Sequence, residues 1–211
     1  MLYLEVCKED FKKMQILVLS DTHGDTSRAC QVYDKLIRQG PVDLIIHCGD
    51  YYKDAIFLGE RTGAPVAWVK GNTDGSFSDR DYIIVDTECG SLLVTHGHME
   101  NVDFSQQNLF YKAQENDCIA AVYGHTHRAV STETGGIHLF NPGSLTRPRD
   151  GSGGTFGLIT TGPDFFRGRI CRYDAFMKDT GSSADSSGSS NGKPKVQGGY
   201  LRGLMNYSDR F

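Results

Sequence analysis

The sequence predicts an α/β fold in which two β-sheets pack face to face with helices outside, an α-β-β-α sandwich. Two observations predict it. Apolar runs of strand length alternate with amphipathic helical segments through the first half of the chain, then strand follows strand through the second, the pattern of stacked sheets with helical cover. A chain of 211 residues, 38% of them hydrophobic, is also long enough to bury one core of domain size.

"QILVLS" (15–20) is an apolar strand, and residues 25–39 then place Ala29, Val32, Tyr33, Leu36 and Ile37 on one helical face before Gly40 and Pro41 stop the helix. "VDLIIHC" (42–48) is a second buried strand, "KDAIFLGERTG" (53–63) a short helix and "APVAWVK" (64–70) a third strand. "DYIIVDTECGSLLVTHG" (81–97) reads as two strands turning at Cys89-Gly90, with a helix over about 103–115. "CIAAVYG" (118–124), "AVSTET" (129–134), "IHLFN" (137–141), "GTFGLITT" (154–161) and "FFRGRICRYD" (165–174) are further strands, and there is no internal repeat.

These elements make one catalytic-sized domain over residues 14–174. Met14 directly precedes the first strand, so residues 1–13 are read as an N-terminal extension or an upstream start. Residues 175–199 are read as a flexible linker, because from Thr180 the composition falls to Ser, Gly, Asp and Lys and cannot offset chain entropy. Residues 200–211 recover Tyr200, Leu201, Leu204, Met205, Tyr207 and Phe211, a candidate docking segment.

Composition narrows the function. A net charge of −4 and a pI near 5.9 argue against nucleic acid as a partner, which would call for a basic stripe. Cys7, Cys30, Cys48, Cys89, Cys118 and Cys171 show no CxxC spacing, and several sit in apolar runs, as buried thiols do in a reduced, cytoplasmic protein. No apolar run approaches the roughly 20 residues that span a bilayer, so no membrane partner is expected.

The chemistry lies where the strands end. "SDTHGD" follows the first strand with Asp21 and His23, "CGDYY" the second with Asp50, and "KGNTDG" the third with Asn72. "THGH" ends a later strand with His96 and His98, and "YGHTHRAV" another with His125 and His127. Intervals of 29, 22, 24 and 29 residues from Asp21 through Asp50, Asn72 and His96 to His125 each fit a strand plus a return connection, so the groups should meet along one sheet edge. Imidazoles, carboxylates and an amide oxygen without thiolate form a donor set suited to Mn, Fe, Zn or Ni, and it exceeds the needs of one ion. Singly, each Asp or Asn has a plainer reading as a turn or helix cap; together they point to a metal centre.

In this order, D-x-H, G-D, G-N, H-G-H and G-H-T-H resemble the calcineurin-like metallophosphoesterase superfamily. The short length and the "NPGS" at 141–144 resemble its small YfcE-type phosphodiesterases. The resemblance covers about residues 14–173 and implies the metallophosphoesterase type of sandwich. It implies that Asp21, His23, Asp50 and His127 hold one divalent ion, and that Asp50, as a bridge, holds the other with Asn72, His96 and His125. Manganese heads the list of metals. The implied activity is hydrolysis of a small phosphodiester or phosphomonoester by a hydroxide held between the ions, with Asp50 and Asn72 in the catalytic centre. The resemblance leaves room for a homo-oligomer, a dimer or a tetramer.

One departure stands out. Much of the superfamily carries His after the Asn, where this chain has Thr73, so leaving-group protonation falls to another group, His98 or water. Arg147 and Arg149 in "SLTRPRDG" have the guanidinium geometry to bind substrate phosphate. His47 and His138 lie within strands and are read as structural, Asp81 and Asp86 as solvated. Two other functions compete: a metal-binding scaffold with little or no catalysis, like the retromer scaffold subunit that the fold resembles, and a nuclease. Competent ligands at every position favour the enzyme over the first, and the acidic surface counts against the second.

Overall fold

The computed structural model describes residues 13–75 and 80–179. The first strand, β1 (Met14–Leu19), shows how its apolar run is used: Ile16 and Val18 face the core between the sheets, while Leu17 and Leu19 face a second core beneath helices. β2 (Leu44–His47) divides in the same way, Leu44 and Ile46 inward and Ile45 outward, and β3 (Val66–Trp68) completes a parallel trio with them. Strands buried on both faces need apolar residues at every position, which is why these runs are continuous rather than alternating. β4 (Tyr82–Thr87) and β5 (Gly90–Thr95) form the hairpin, and β6 (Cys118–Val122), β7 (Ala129–Thr134) and β8 (Ile137–Pro142) follow. β9 (Thr155–Gly162) and β10 (Phe165–Arg172) return to the first sheet.

The two five-stranded sheets have the orders β10-β9-β1-β2-β3 and β4-β5-β6-β8-β7, the predicted sandwich. α1 (Ser27–Leu36) and α2 (Tyr52–Thr62) connect the strands of the first sheet, and α3 (Gln107–Glu115) packs Leu109 and Ala113 against the outer face of the second. Register positions the site. Leu19, His47 and Trp68 lie in one row of the first sheet, and Val94, Val122 and Phe140 in one row of the second. These strands are parallel, so the segments that follow them leave at one edge, where ligands bind in open α/β sheets.

Four expectations are corrected. Helix α3 begins at Gln107 rather than near residue 103, because the Glu100 and Val102 amides donate to the Gly97 carbonyl and Asn101 is left-handed at φ 54°, which makes turns of the preceding residues. Ile37 caps α1 and is 47% exposed instead of sharing its buried face. The last strand stops at Arg172, and α4 (Tyr173–Lys178) follows, so residues 175–178 are helical and not linker. Tyr173 and Phe176 pack against the helix-side core, and the Lys35 ammonium, 2.6 Å from the Asp179 carbonyl, caps the helix end. Residues 180–199 of the linker, residues 1–12 of the extension and the segment 200–211 lie outside the described residues. No helix among the described residues is long and apolar enough to cross a membrane.

Candidate metal centre

Each functional side chain sits on a turn that the next strand braces. The Asp21 amide donates to the Gly49 carbonyl at 3.1 Å in the first sheet, and the Gly124 amide to the His96 carbonyl at 3.0 Å in the second, each bond tying neighbouring loops of its sheet together. A Cβ at Gly124 would overlap the Ser20 hydroxyl, and one at Gly71 would overlap the Asp50 carboxylate, so both loops approach closer than any side chain allows. Asp21, His23, Asp50, His125 and His127 all have positive φ, between 49° and 68°. A non-glycine residue held there costs roughly 1–3 kcal/mol and persists only where the surroundings enforce it, which happens most often at functional sites.

The loops gather two sets of donors. In the first, ligand atoms of Asp21, His23, Asp50 and His127 all lie within 4.8 Å of one another. His127 Nε2 is 3.3 Å from Asp21 Oδ1 and 3.4 Å from His23 Nε2, which is 3.7 Å from Asp50 Oδ2. In the second, Asn72 Oδ1 is 3.0 Å from both His96 Nε2 and His125 Nδ1, and His96 Nε2 is 3.4 Å from Asp50 Oδ1. Asp50 thus turns one oxygen to each set. Ligands about 2.1 Å from one ion would stand some 3–4 Å apart, as these do.

Protonation shows that the sets fit cations. The His127 Nδ1 is 2.7 Å from the Arg147 carbonyl and the His96 Nδ1 2.7 Å from the Cys48 carbonyl. A carbonyl only accepts, so each Nδ1 carries a proton, and in the neutral imidazole each Nε2 then turns a lone pair inward. Those lone pairs face oxygens that also offer only lone pairs. Asp21 Oδ1 is fully buried with no hydrogen-bond partner, while Oδ2 accepts from the Ser20 hydroxyl and the His125 amide. Acceptors pressed together repel unless a proton or a cation lies between them, and an N/O donor set of this kind suits a divalent first-row ion. Burial opposes charge on Asp21, yet His127, His96 and the Ser20 hydroxyl outweigh it and keep the carboxyl below its ordinary pKa. Burial likewise opposes charge on His127, and the Asp21 carboxylate overcomes it and raises the imidazole.

The remaining predicted residues lie at the rim. The His98 ring centre is 5.3 Å from that of His96 and 6.1 Å from that of His125, and its Nδ1 is buried without a partner. Arg147 and Arg149 are exposed, and their main chains support the first set: the Arg147 carbonyl accepts from His127, and the Arg149 amide donates to the His127 carbonyl at 3.0 Å. The charge of Arg147 also reaches His23, adding to burial in lowering that imidazole's pKa. Thr73 donates its amide to Asp50 Oδ1 at 3.1 Å.

Side chains of "NPGS" shape the floor of the site. The Asn141 amide donates to the Gly124 carbonyl at 2.7 Å, and the Ser144 hydroxyl to the Asp21 carbonyl at 2.9 Å. His47 is a satisfied core histidine, held neutral by burial with its pKa pushed down to about 4; its Nε2 meets the Thr22 hydroxyl, which donates to Asp54. His138 stacks on Phe166 away from the site.

Three acidic residues escaped the reading of the sequence. Asp54 accepts from Thr22 and from the Gly24 amide and fixes the loop after β1. Asp74 accepts from the amides of Tyr51, Tyr52 and Gly71 and clamps the Asp50 turn to the Asn72 turn. Its place in "GNTDG" is an Asx-turn signal that would have found it. Asp103 lies 2.7 Å from His125 Nε2, and no local pattern marks it.

Residues 14–164 match the model of the calcineurin-like phosphoesterase superfamily domain. Probable metallophosphoesterase YsnB from Bacillus subtilis is 31% identical over 147 residues, 70% of this chain and 84% of that protein. Phosphodiesterase YfcE from Escherichia coli K12 is 27% identical over 175 residues, 69% of this chain and 87% of that one. A crystal structure of a predicted phosphoesterase from Streptococcus pneumoniae TIGR4 superposes with a TM-score of 0.65 at 28% identity, over 77% of this chain and 91% of that one. A Vps29 point mutant from Entamoeba histolytica, at 20% identity and a TM-score of 0.61 over 75% of this chain and 99% of that one, shares the fold.

Proposed function

Since the chain belongs to the calcineurin-like phosphoesterase superfamily, we propose that it is a metal-dependent hydrolase of small phosphodiesters, acting with two divalent ions, manganese foremost. The observation that carries this reading is the pair of donor sets sharing Asp50, one oxygen directed to each. When bound, two such ions clamp a phosphoryl group and lower the pKa of water between them.

The chain's own residues do the rest. Asp21, His23 and His127 would hold one ion and Asn72, His96 and His125 the other, with Asp50 available to both. Arg147 and Arg149 meet the non-bridging oxygens of the phosphate from the side of the first set, where guanidinium forks can bind two oxygens at once. His98 stands by the second set and orients or protonates the leaving group, the task that Thr73 cannot perform near neutral pH. Main-chain carbonyls hold His96 and His127 in the tautomer that binds metal, so little reorganisation is left for the moment of binding.

Phosphodiesters are preferred over monoesters on the likeness to YfcE. The protein is expected to act in the cytoplasm. Metal analysis of the purified protein, followed by hydrolysis of bis-p-nitrophenyl phosphate with and without manganese, tests the reading. Two ions per chain and manganese-dependent turnover are expected. Bound metal without turnover of diesters or monoesters would instead favour the scaffold function.

A further inference from the structure

The imidazoles of His96, His125 and His127 offer a lone pair to the donor sets only if their second nitrogen holds the proton. For His96 and His127 a main-chain carbonyl at 2.7 Å ensures this. His125 has no such carbonyl; the group 2.7 Å from its second nitrogen, Nε2, is the Asp103 carboxylate. We infer that Asp103 is a positioning residue that keeps the proton of His125 on Nε2, so that Nδ1 turns its lone pair toward Asn72 Oδ1 and completes the second donor set.

The turn that carries Asp103 is built for this. Val102 is 7% exposed and anchors the turn in the core beneath α3, its amide donating to the Gly97 carbonyl. Asn101 takes the left-handed conformation beside it, and the Phe104 amide returns to the Asn101 carbonyl. A pinned residue on one side and a closed turn on the other leave Asp103 little freedom, although its own side chain is 50% exposed. An exposed Asp–His pair adds little to stability. Its effect lies in choosing which ring nitrogen keeps the proton and in raising the ligand's basicity, an influence that typically changes metal affinity 10–100-fold.

This rests on the proposed two-ion site only in its metal arm. In the first arm, long-range ¹H–¹⁵N correlation of the full chain, stripped of metal and held alkaline enough for neutral imidazoles, identifies the tautomer of His125. The expected result is the proton on Nε2; a proton on Nδ1 would overturn the inference. In the second arm, manganese binding to the wild type, Asp103→Ala and Asp103→Asn is measured by calorimetry. The alanine variant should bind the more weakly held ion about 10–100-fold less well, the other ion unchanged, with part of the loss recovered in Asp103→Asn, which keeps an acceptor oxygen. Equal affinities in wild type and Asp103→Ala would overturn the inference. A wild type that binds one ion would refute the two-ion reading, and the tautomer arm would still decide the role of Asp103.

Discussion

The two donor sets share a carboxylate and a sheet edge but differ in how the protein encloses them. Asp21, Asp50 and His127 of the first are at most 4% exposed, and its two carboxylates offer two formal charges. The second has only the shared charge of Asp50, a neutral amide and two imidazoles, and although His96 is buried, Asn72 is exposed and His125 half-buried. Oxygens of full charge in a place with little water hold a cation more strongly than neutral donors open to solvent. On the proposed two-ion reading, one structural plan, ligands at the ends of parallel strands, would give two unequal grips. The first set would then suit a resident ion and the second one that exchanges.

The largest expected effect comes from removing what the sets have in common. Asp50→Ala should abolish diester hydrolysis, by about 10³-fold or more, and reduce affinity for both ions. A variant that kept one ion at full strength would show that Asp50 belongs to one set only. Next, Asp21→Ala and Asn72→Ala should divide the sets. The first should lose the tight ion, and the second only the weak one, with activity restored in part by high manganese. Loss of the same ion in both would dissolve the distinction. Folding should survive each change, because these residues stand at loop ends and little core is removed, which thermal melting of the metal-free variants can verify.

A smaller effect sharpens the chemistry of the open set. Thr73→His should raise hydrolysis of esters with poor leaving groups relative to activated ones, by roughly 10-fold, if protonation limits the rate. An unchanged ratio would mean that position 73 is turned away from the leaving group. The smallest concerns the frame: Phe176→Ala should lower stability by about 1–3 kcal/mol, because the ring is only partly buried, and leave metal binding unaltered. A change in ion affinity there would show that α4 communicates with the site.

The difference between the sets also explains what could be read in advance. The residues at the strand ends announce themselves, because continuous apolar runs make the strands evident and each run stops at Asp, His or Asn. The supports do not. Asp103 meets His125 across 22 residues and Asp54 meets Thr22 across 32, and no periodicity encodes such pairs. The misplaced start of α3 has a related cause: the turn over 99–104 depends on Val102 reaching the core, a tertiary contact that overrides local helical pattern. The short helix α4 falls where the sequence reads as strand and linker, because its six residues depend on Tyr173 and Phe176 packing and on the Lys35 cap, not on their own propensity.

The central claim is that Asp50 joins two sites of unequal strength. Calorimetric titration of the metal-free, full-length protein with manganese, repeated on Asn72→Ala, tests it most directly. Two ions per chain with separable affinities are expected for the wild type, and the tight one alone for the variant. One ion per chain in the wild type at full activity, or two ions of equal affinity both weakened by Asn72→Ala, would contradict it.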